Sequence, residues 1–236
     1  RSEDSFIDEL FAAAPHHGAP LLAATFPRAW CDPNRARWEL DPAMFEDRLP
    51  DFVATDTPRV VAGLGTIARV VASGEGIYRR KLRFAEAVAR IETCWDPYHA
   101  ALETLIADTE RRFGAVLLVD CHSMPAPPGG GPTPDVILGD AHGTACAETL
   151  IGFVEQYFTG LGLRVVRNEP YAGGFTTRHY GRPSAGRHAL QIELARRLYM
   201  DERLILPGPG FAGLKNDLGR LIAALARHAA TVLRRR

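Results

Sequence analysis

The stretch Ala115-Val116-Leu117-Leu118-Val119-Asp120 constrains the fold more than any other part of the chain. It is a short unbroken apolar run that follows a helical pattern and Gly114, which is how a strand covered on both faces reads. It predicts a central parallel strand. DVILGD (135–140), LRVVRN (163–168) and HALQIEL (188–194) read as further strands, and PLLAATF (20–26) as a short buried one. Two more are expected around Val60–Ala62 and Thr66–Val71. Helical periodicity covers 3–13, a long region from Arg79 to Phe113 broken at Pro97, 143–160, and 212–234, where Arg234, Arg235 and Arg236 complement the helix dipole. The Pro-rich stretch 27–58 and PAPPGGGPTP (125–134) read as loop. Strands alternating with helices predict an α/β fold, a three-layer sandwich with a central, mostly parallel (mixed) sheet. With no repeat and no linker, 1–236 is expected to form a single domain.

Composition narrows the partners. Lys and Arg total 28, and Asp and Glu total 28, so the formal net charge is +0. That balance speaks against broad binding to nucleic acid or to an acidic membrane. No apolar run approaches the roughly 20 residues of a bilayer span. Cys31, Cys94, Cys121 and Cys146 are scattered with no CxxC pair, which reads as reduced thiols in a cytoplasmic protein. The chain opens on Arg1 and not on Met, so an upstream segment is expected to be missing.

Chemistry concentrates at strand ends, because ligands of parallel sheets bind beyond the carboxyl ends of the strands. The 115–120 run leads into Asp120-Cys121-His122-Ser123, where alternation puts Asp120 and His122 on one face. A histidine there beside a carboxylate fits a metal ligand with a supporting partner, and equally a hydrogen-bonded core histidine. Ser123 lacks the GxSxG elbow of a serine hydrolase. In 188–194, Leu190, Ile192 and Leu194 share one face, and Gln191 and Glu193 point to the other. A glutamate in an apolar strand needs compensation. It fits a general base for water activated at a metal, or a salt bridge to Arg196 or Arg197. Arg35, after Asn34 in a loop, could clamp a substrate carboxylate through two parallel hydrogen bonds. His99 opens a helix, where a histidine more often packs than catalyses, and Tyr171 lies in the glycine-rich loop Asn168–Gly174. Gly63-Leu64-Gly65 mimics a dinucleotide fingerprint but lacks the helix that should follow it.

Taken in order, EDSFIDEL (3–10), FPRAWCDPNR (26–35), PYH (97–99), VDCHSMP (119–125), PDVILGD (134–140), NEPYAGGFTTRHYG (168–181) and QIELARRLYMD (191–201) resemble the N-formylglutamate amidohydrolase family over almost the whole chain. The resemblance implies a zinc-carboxypeptidase-like fold and hydrolysis of N-formyl-L-glutamate to formate and glutamate, late in histidine breakdown. It implies Zn2+ as cofactor, held by His122 and a carboxylate matched best by Asp4, with Glu3 and Asp8 as alternatives. It also implies Glu193 as general base and Arg35 as the carboxylate clamp, with Asn34, His99 and Tyr171 as further substrate contacts. The family's first metal histidine lies in a Pro-His-Ser-Gly element before the Asp4 helix, so the third ligand is expected upstream of residue 1. Pro15-His16-His17-Gly18 resembles that element but falls on the wrong side of EDSFIDEL.

The expected partner is therefore a small N-acyl amino acid, and the sequence carries no signal for an oligomer. Two rival readings keep the same fold. One is a carboxypeptidase-like or N-acyl amino acid deacylase activity, in which only pocket shape differs. The other is a metal-free binding protein.

Overall fold

The computed structural model describes residues 2–71, 74–127 and 133–233. Among these the helices are α1 (Ile7–Leu10), α2 (Pro58–Val61), α3 (Phe84–Arg90), α4 (Asp96–Phe113), α5 (Glu148–Gly160), α6 (Phe175–Tyr180) and α7 (Phe211–Val232). The strands are β1 (Val116–Met124), β2 (Val136–Gly139), β3 (Val165–Arg167), β4 (Arg187–Ala195), β5 (Met200–Asp201) and β6 (Leu206–Pro207). The first four strands make one sheet in the order β1-β4-β2-β3. β1 runs parallel to β4 and β2 parallel to β3, while β2 and β4 are antiparallel. This is the α/β fold with a mixed sheet.

Strand alternation explains both faces of that sheet. Leu190, Ile192 and Leu194 of β4 and Val136 and Leu138 of β2 join Leu150, Ile151, Val154 and Phe158 of α5 and Leu214, Leu218, Leu221 and Leu225 of α7 in one buried cluster. The i, i+3/i+4 spacing of the helical leucines supplies the matching stripe. The opposite face carries Asp120, His122, Gln191 and Glu193, and the turn before α6 meets it where the Gly174 N–H bonds Gln191 at 2.8 Å.

The chain divides into two compact units, residues 1–3 with 24–104 and residues 4–23 with 105–236. One boundary between them falls within α4, and each unit has its own apolar centre. That of 24–104 is built on Cys31, Leu40, Met44, Phe45, Val53, Ile67, Leu82, Ala87 and Cys94.

Several local expectations are corrected. β1 is not central: β4 lies between β1 and β2, and among the described residues β1 is an edge strand. Residues 20–26 form no strand and are exposed or half-exposed, because the apolar run has no sheet neighbour. Val60 lies in helix α2, where Thr57 accepts the Val60 N–H at 3.2 Å and Pro58 occupies the first turn. The 66–71 segment makes only an isolated bridge between Val70 and Gly76. No helix follows Gly63-Leu64-Gly65, as argued against a dinucleotide loop. Residues 3–13 hold one short helix, ended by local turns. A second helix does start at Asp96, with Pro97 in its first turn, but the preceding helix covers only Phe84–Arg90 and leads into α4 through a π-turn at Ile91–Trp95 instead of a break. The central part of PAPPGGGPTP, 128–132, and Arg234, Arg235 and Arg236 lie outside the described residues.

His188 tests the packing at the head of α5. It is buried in β4, and its Nδ1 accepts the Ala147 N–H at 3.2 Å. Burial pushes its pKa below the ordinary value. The neutral ring is thus favoured in the folded state, and its contribution is complete above about pH 6.5 and lost as pH falls through the lower folded value. A His188→Leu variant should therefore show a shallower fall of Tm between pH 7 and 5 than the unmodified protein, read by thermal melts. Parallel slopes would refute this.

Candidate active site

The edge position of β1 shapes the site. An edge strand presents outward N–H groups, and here the Ser123 N–H donates to Asp4 Oδ1 at 2.8 Å. The Ser123 hydroxyl meets the same oxygen at 3.1 Å. Arg196, which is donor-only, gives its Nε–H to Ser123 Oγ at 3.1 Å, so the serine proton is directed to Asp4. Arg196 is itself buried, with Glu202 at 3.9 Å. Asp4 Oδ1 is thereby held, and Oδ2 faces His122 Nδ1 at 3.1 Å. The expected closeness of Asp4 and His122 is present. Glu3 instead accepts the Arg28 N–H at 3.4 Å.

His122 Nε2 lies 2.8 Å from Asp120 Oδ1. Burial opposes a charge on this ring, but Asp120 and Asp4 outweigh it and raise its pKa well above the ordinary histidine value. Two carboxylates around one imidazole favour positive charge at this point. The parallel register pairs His122 with Glu193 and Asp120 with Gln191. Paired residues on strands about 4.8 Å apart point to the same face, so Glu193 is the neighbour of His122. Glu193 is buried, and Gln191 Nε2 donates to its Oε1 at 2.9 Å. The expected alternative partner Arg197 pairs with Asp135 at 2.7 Å.

Cys121, next to His122, points the other way and packs against the α5–α7 core. Burial, with Asp120 and Asp4, pushes its thiol well above the ordinary value, so it stays neutral. Its place beside His122 follows from alternation and needs no thiol chemistry.

Tyr171 packs with Met124, Ile137 and Ala195 on the His122 face, and Ile137 is the β2 partner of Glu193. Its loop is shaped by Asn168, a non-glycine residue at φ 63, whose side chain accepts the Asp140 N–H at 3.1 Å and donates to Asp140 Oδ1 at 2.9 Å. A Cβ on Gly139 would come within 2.8 Å of the Ala172 and Gly173 backbone, so glycine there lets the loop lie on the end of β2.

The residue 24–104 unit holds the other candidates. Asp32 is buried: burial opposes its charge, but Arg28, Arg35 and the Asn34 N–H outweigh it and hold the carboxyl below its usual range. That N–H reaches Asp32 Oδ1 at 2.9 Å, which tightens the turn and buries Asn34. Arg35 donates Nε–H to Leu64 O at 2.9 Å and NH1 to Asn34 O at 2.8 Å, with Asp32 at 3.7 Å. These bonds use two of the five guanidinium N–H groups and leave donors on both terminal nitrogens. The π-turn brings the Trp95 indole N–H to Arg35 O at 3.0 Å. His99, expected to touch substrate, is buried under this loop, with Nε2 2.9 Å from Pro33 O and its ring 3.9 Å from that of Trp95.

An imidazole nitrogen and a carboxylate oxygen 3.1 Å apart, backed by Asp120, suit zinc in donor type and in outer-shell support. A catalytic zinc takes three protein ligands. Among the described residues no group of three or more His, Cys, Asp and Glu is arranged to hold a metal, and His16 and His17 are exposed. Sequence reasoning gave Gln191 no role and set Ser123 aside. The alternation that placed Glu193 also placed Gln191, but the bonds of Ser123 to Asp4 are long-range and left no local trace.

Comparison with known proteins gives the family and the fold. The N-formylglutamate amidohydrolase family profile matches residues 1–200. The N-formylglutamate deformylase of Pseudomonas putida is 31% identical over 208 residues, covering 84% of this chain and 71% of that protein. The enzyme of the same name from Pseudomonas aeruginosa is 31% identical over 206 residues, covering 85% and 71%. The crystal structure of N-formylglutamate amidohydrolase from Ralstonia eutropha JMP134 matches with a TM-score of 0.89 at 40% identity, covering 95% of this chain and 82% of that one. Fold and relatives together define the class as an α/β amidohydrolase. More particularly, the chain belongs to the N-formylglutamate amidohydrolase family. Among the described residues no helix is long and apolar enough to cross a membrane.

Proposed function

We propose that this protein hydrolyses the formyl amide of N-formyl-L-glutamate to formate and glutamate, with zinc as cofactor. The observation that carries the reading is His122, backed by Asp120 and facing Asp4, with Glu193 beside it in register. His122 Nδ1 and Asp4 Oδ2 are the donors for the metal, and a third would have to come from outside the described residues. Zinc bound there supplies a Lewis acid that polarises the formyl oxygen and lowers the pKa of water toward about 7. Glu193 accepts the proton of the attacking water and returns it to the leaving amine nitrogen. Asp120 fixes the ring of His122, and Ser123 with Arg196 fixes Asp4. Arg35 binds a substrate carboxylate through its terminal nitrogens, with Asn34 beside it, while His99 supports the loop from behind. Tyr171, packed with the Met124, Ile137 and Ala195 cluster, is a further substrate contact.

The test is glutamate release by the zinc-supplemented protein from N-formyl-L-glutamate, set against N-acetyl-L-glutamate and a peptide with C-terminal glutamate. Preference for the formyl compound is expected. Preference for either of the others would assign a deacylase or carboxypeptidase, and no turnover of any would leave a binding protein.

Arg35 gives a narrower prediction. Arg35→Ala should raise KM for the dicarboxylic substrate at least roughly tenfold and leave zinc content unchanged. Losing a charge-assisted bidentate pair costs about 1.5–3 kcal/mol. Steady-state kinetics check it. An unchanged KM would move the clamp to another arginine, Arg90 or Arg178.

A further inference from the structure

We infer that Gln191 is a positioning residue that sets the rotation of the Glu193 carboxylate and couples it to the 168–174 loop. The inference rests on the reading of Glu193 as general base.

Gln191 is 4% exposed, so both ends of its amide need partners. A backbone N–H can only donate. The Gly174 N–H at 2.8 Å therefore takes the amide oxygen, which settles the orientation of the side chain. The amide nitrogen must then face Glu193, and it donates to Oε1 at 2.9 Å. Glu193 thus meets a donor at Oε1. That bond stops the carboxylate from turning about its last side-chain torsion, so Oε2 keeps one position against the face shared with His122.

The loop reaches the same point by a second route. Asn168 bolts it to the Asp140 turn, Gly139 lets its 172–173 backbone lie on β2, and Tyr171 packs against the cluster of Met124, Ala195 and Ile137, the last being the cross-strand partner of Glu193. Displacement of the 168–174 backbone therefore moves Gly174, and through Gln191 the base. A gap of about one ångström at a reacting group is enough to cost roughly a hundredfold in rate.

The experiment is a double-mutant cycle on turnover of N-formyl-L-glutamate by the zinc-supplemented protein. Gln191→Met keeps the volume and removes both bonds. It should lower kcat roughly ten- to a hundredfold, with KM changed by less than about threefold. In a Glu193→Gln background the same substitution should change kcat less than about twofold, because the group it positions no longer acts as base. Circular dichroism verifies the fold. If Gln191→Met does not fold, Gln191→Glu keeps the acceptor for Gly174 and the side-chain shape but sets an acceptor against Glu193, and it should lower kcat likewise. Equal losses in both backgrounds, or an unchanged kcat in the single variant, would overturn the inference while leaving Glu193 as base. Near-normal turnover of Glu193→Gln alone would instead remove the reading beneath it.

Discussion

Glu193→Gln is expected to reduce turnover of N-formyl-L-glutamate by about 10²–10⁴-fold, the usual worth of a general base. The substitution keeps shape and volume and removes only the basic oxygen. The apolar row of Leu190, Ile192 and Leu194 faces α5 and α7, so Glu193 is turned to the His122 face and is buried there. A buried charge is costly, so stability should stay near the unmodified value or rise. Zinc content should persist, because Glu193 is not among the proposed ligands. A structural ion pair predicts the opposite, near-normal turnover with a lower Tm. Arg197 is paired with Asp135 at 2.7 Å, and Arg196 donates to Ser123 Oγ at 3.1 Å. Turnover, zinc content and Tm measured on this one variant separate the two. Turnover within about threefold of normal with zinc retained would take Glu193 out of the mechanism.

What the sequence discloses depends on how local the cause is. β1, β2, β4, α5 and α7 were legible because alternation and helical periodicity are written into consecutive residues. Alternation also placed Asp120 with His122 and Gln191 with Glu193 on common faces. The order of strands was not legible. An apolar run reads alike whether it lies at an edge or a centre, and β1 lies at the edge. Residues 24–104 were read poorly for a related reason. Their core is assembled from loops tied by side-chain-to-backbone bonds, such as Thr66 Oγ to Ala36 O at 2.5 Å, and such ties have no period. The short helix α2 was not legible: its Val60-Val61 pair favours a strand, and only the Thr57 cap and Pro58 in the first turn mark it as a helix. The pairing of Asp4 with His122 spans 118 positions. Spacing could not have found it, and it came from the order of motifs alone.

That long-range pair supports the second large expectation, a graded loss of zinc affinity. Asp120→Asn should weaken zinc binding about 10–100-fold, the usual effect of removing the outer partner of a ligating histidine. His122→Ala and Asp4→Ala, which remove proposed donors outright, should each cost more than that. Ser123→Ala should cost less, because the backbone N–H of Ser123 still holds Asp4 Oδ1. The ordering follows from which atom each residue supplies. His122 and Asp4 face each other at 3.1 Å, Asp120 meets the far nitrogen of the ring, and Ser123 meets the far oxygen of Asp4. Competition with a chromogenic chelator measures each affinity without recourse to activity, and circular dichroism shows whether the fold survives. A purely structural ion network makes a different forecast. Asp4→Ala would then leave His122 with one carboxylate where it had two and lower Tm, while zinc affinity stayed equal across the series. A flat series would deny this cluster any part in holding metal.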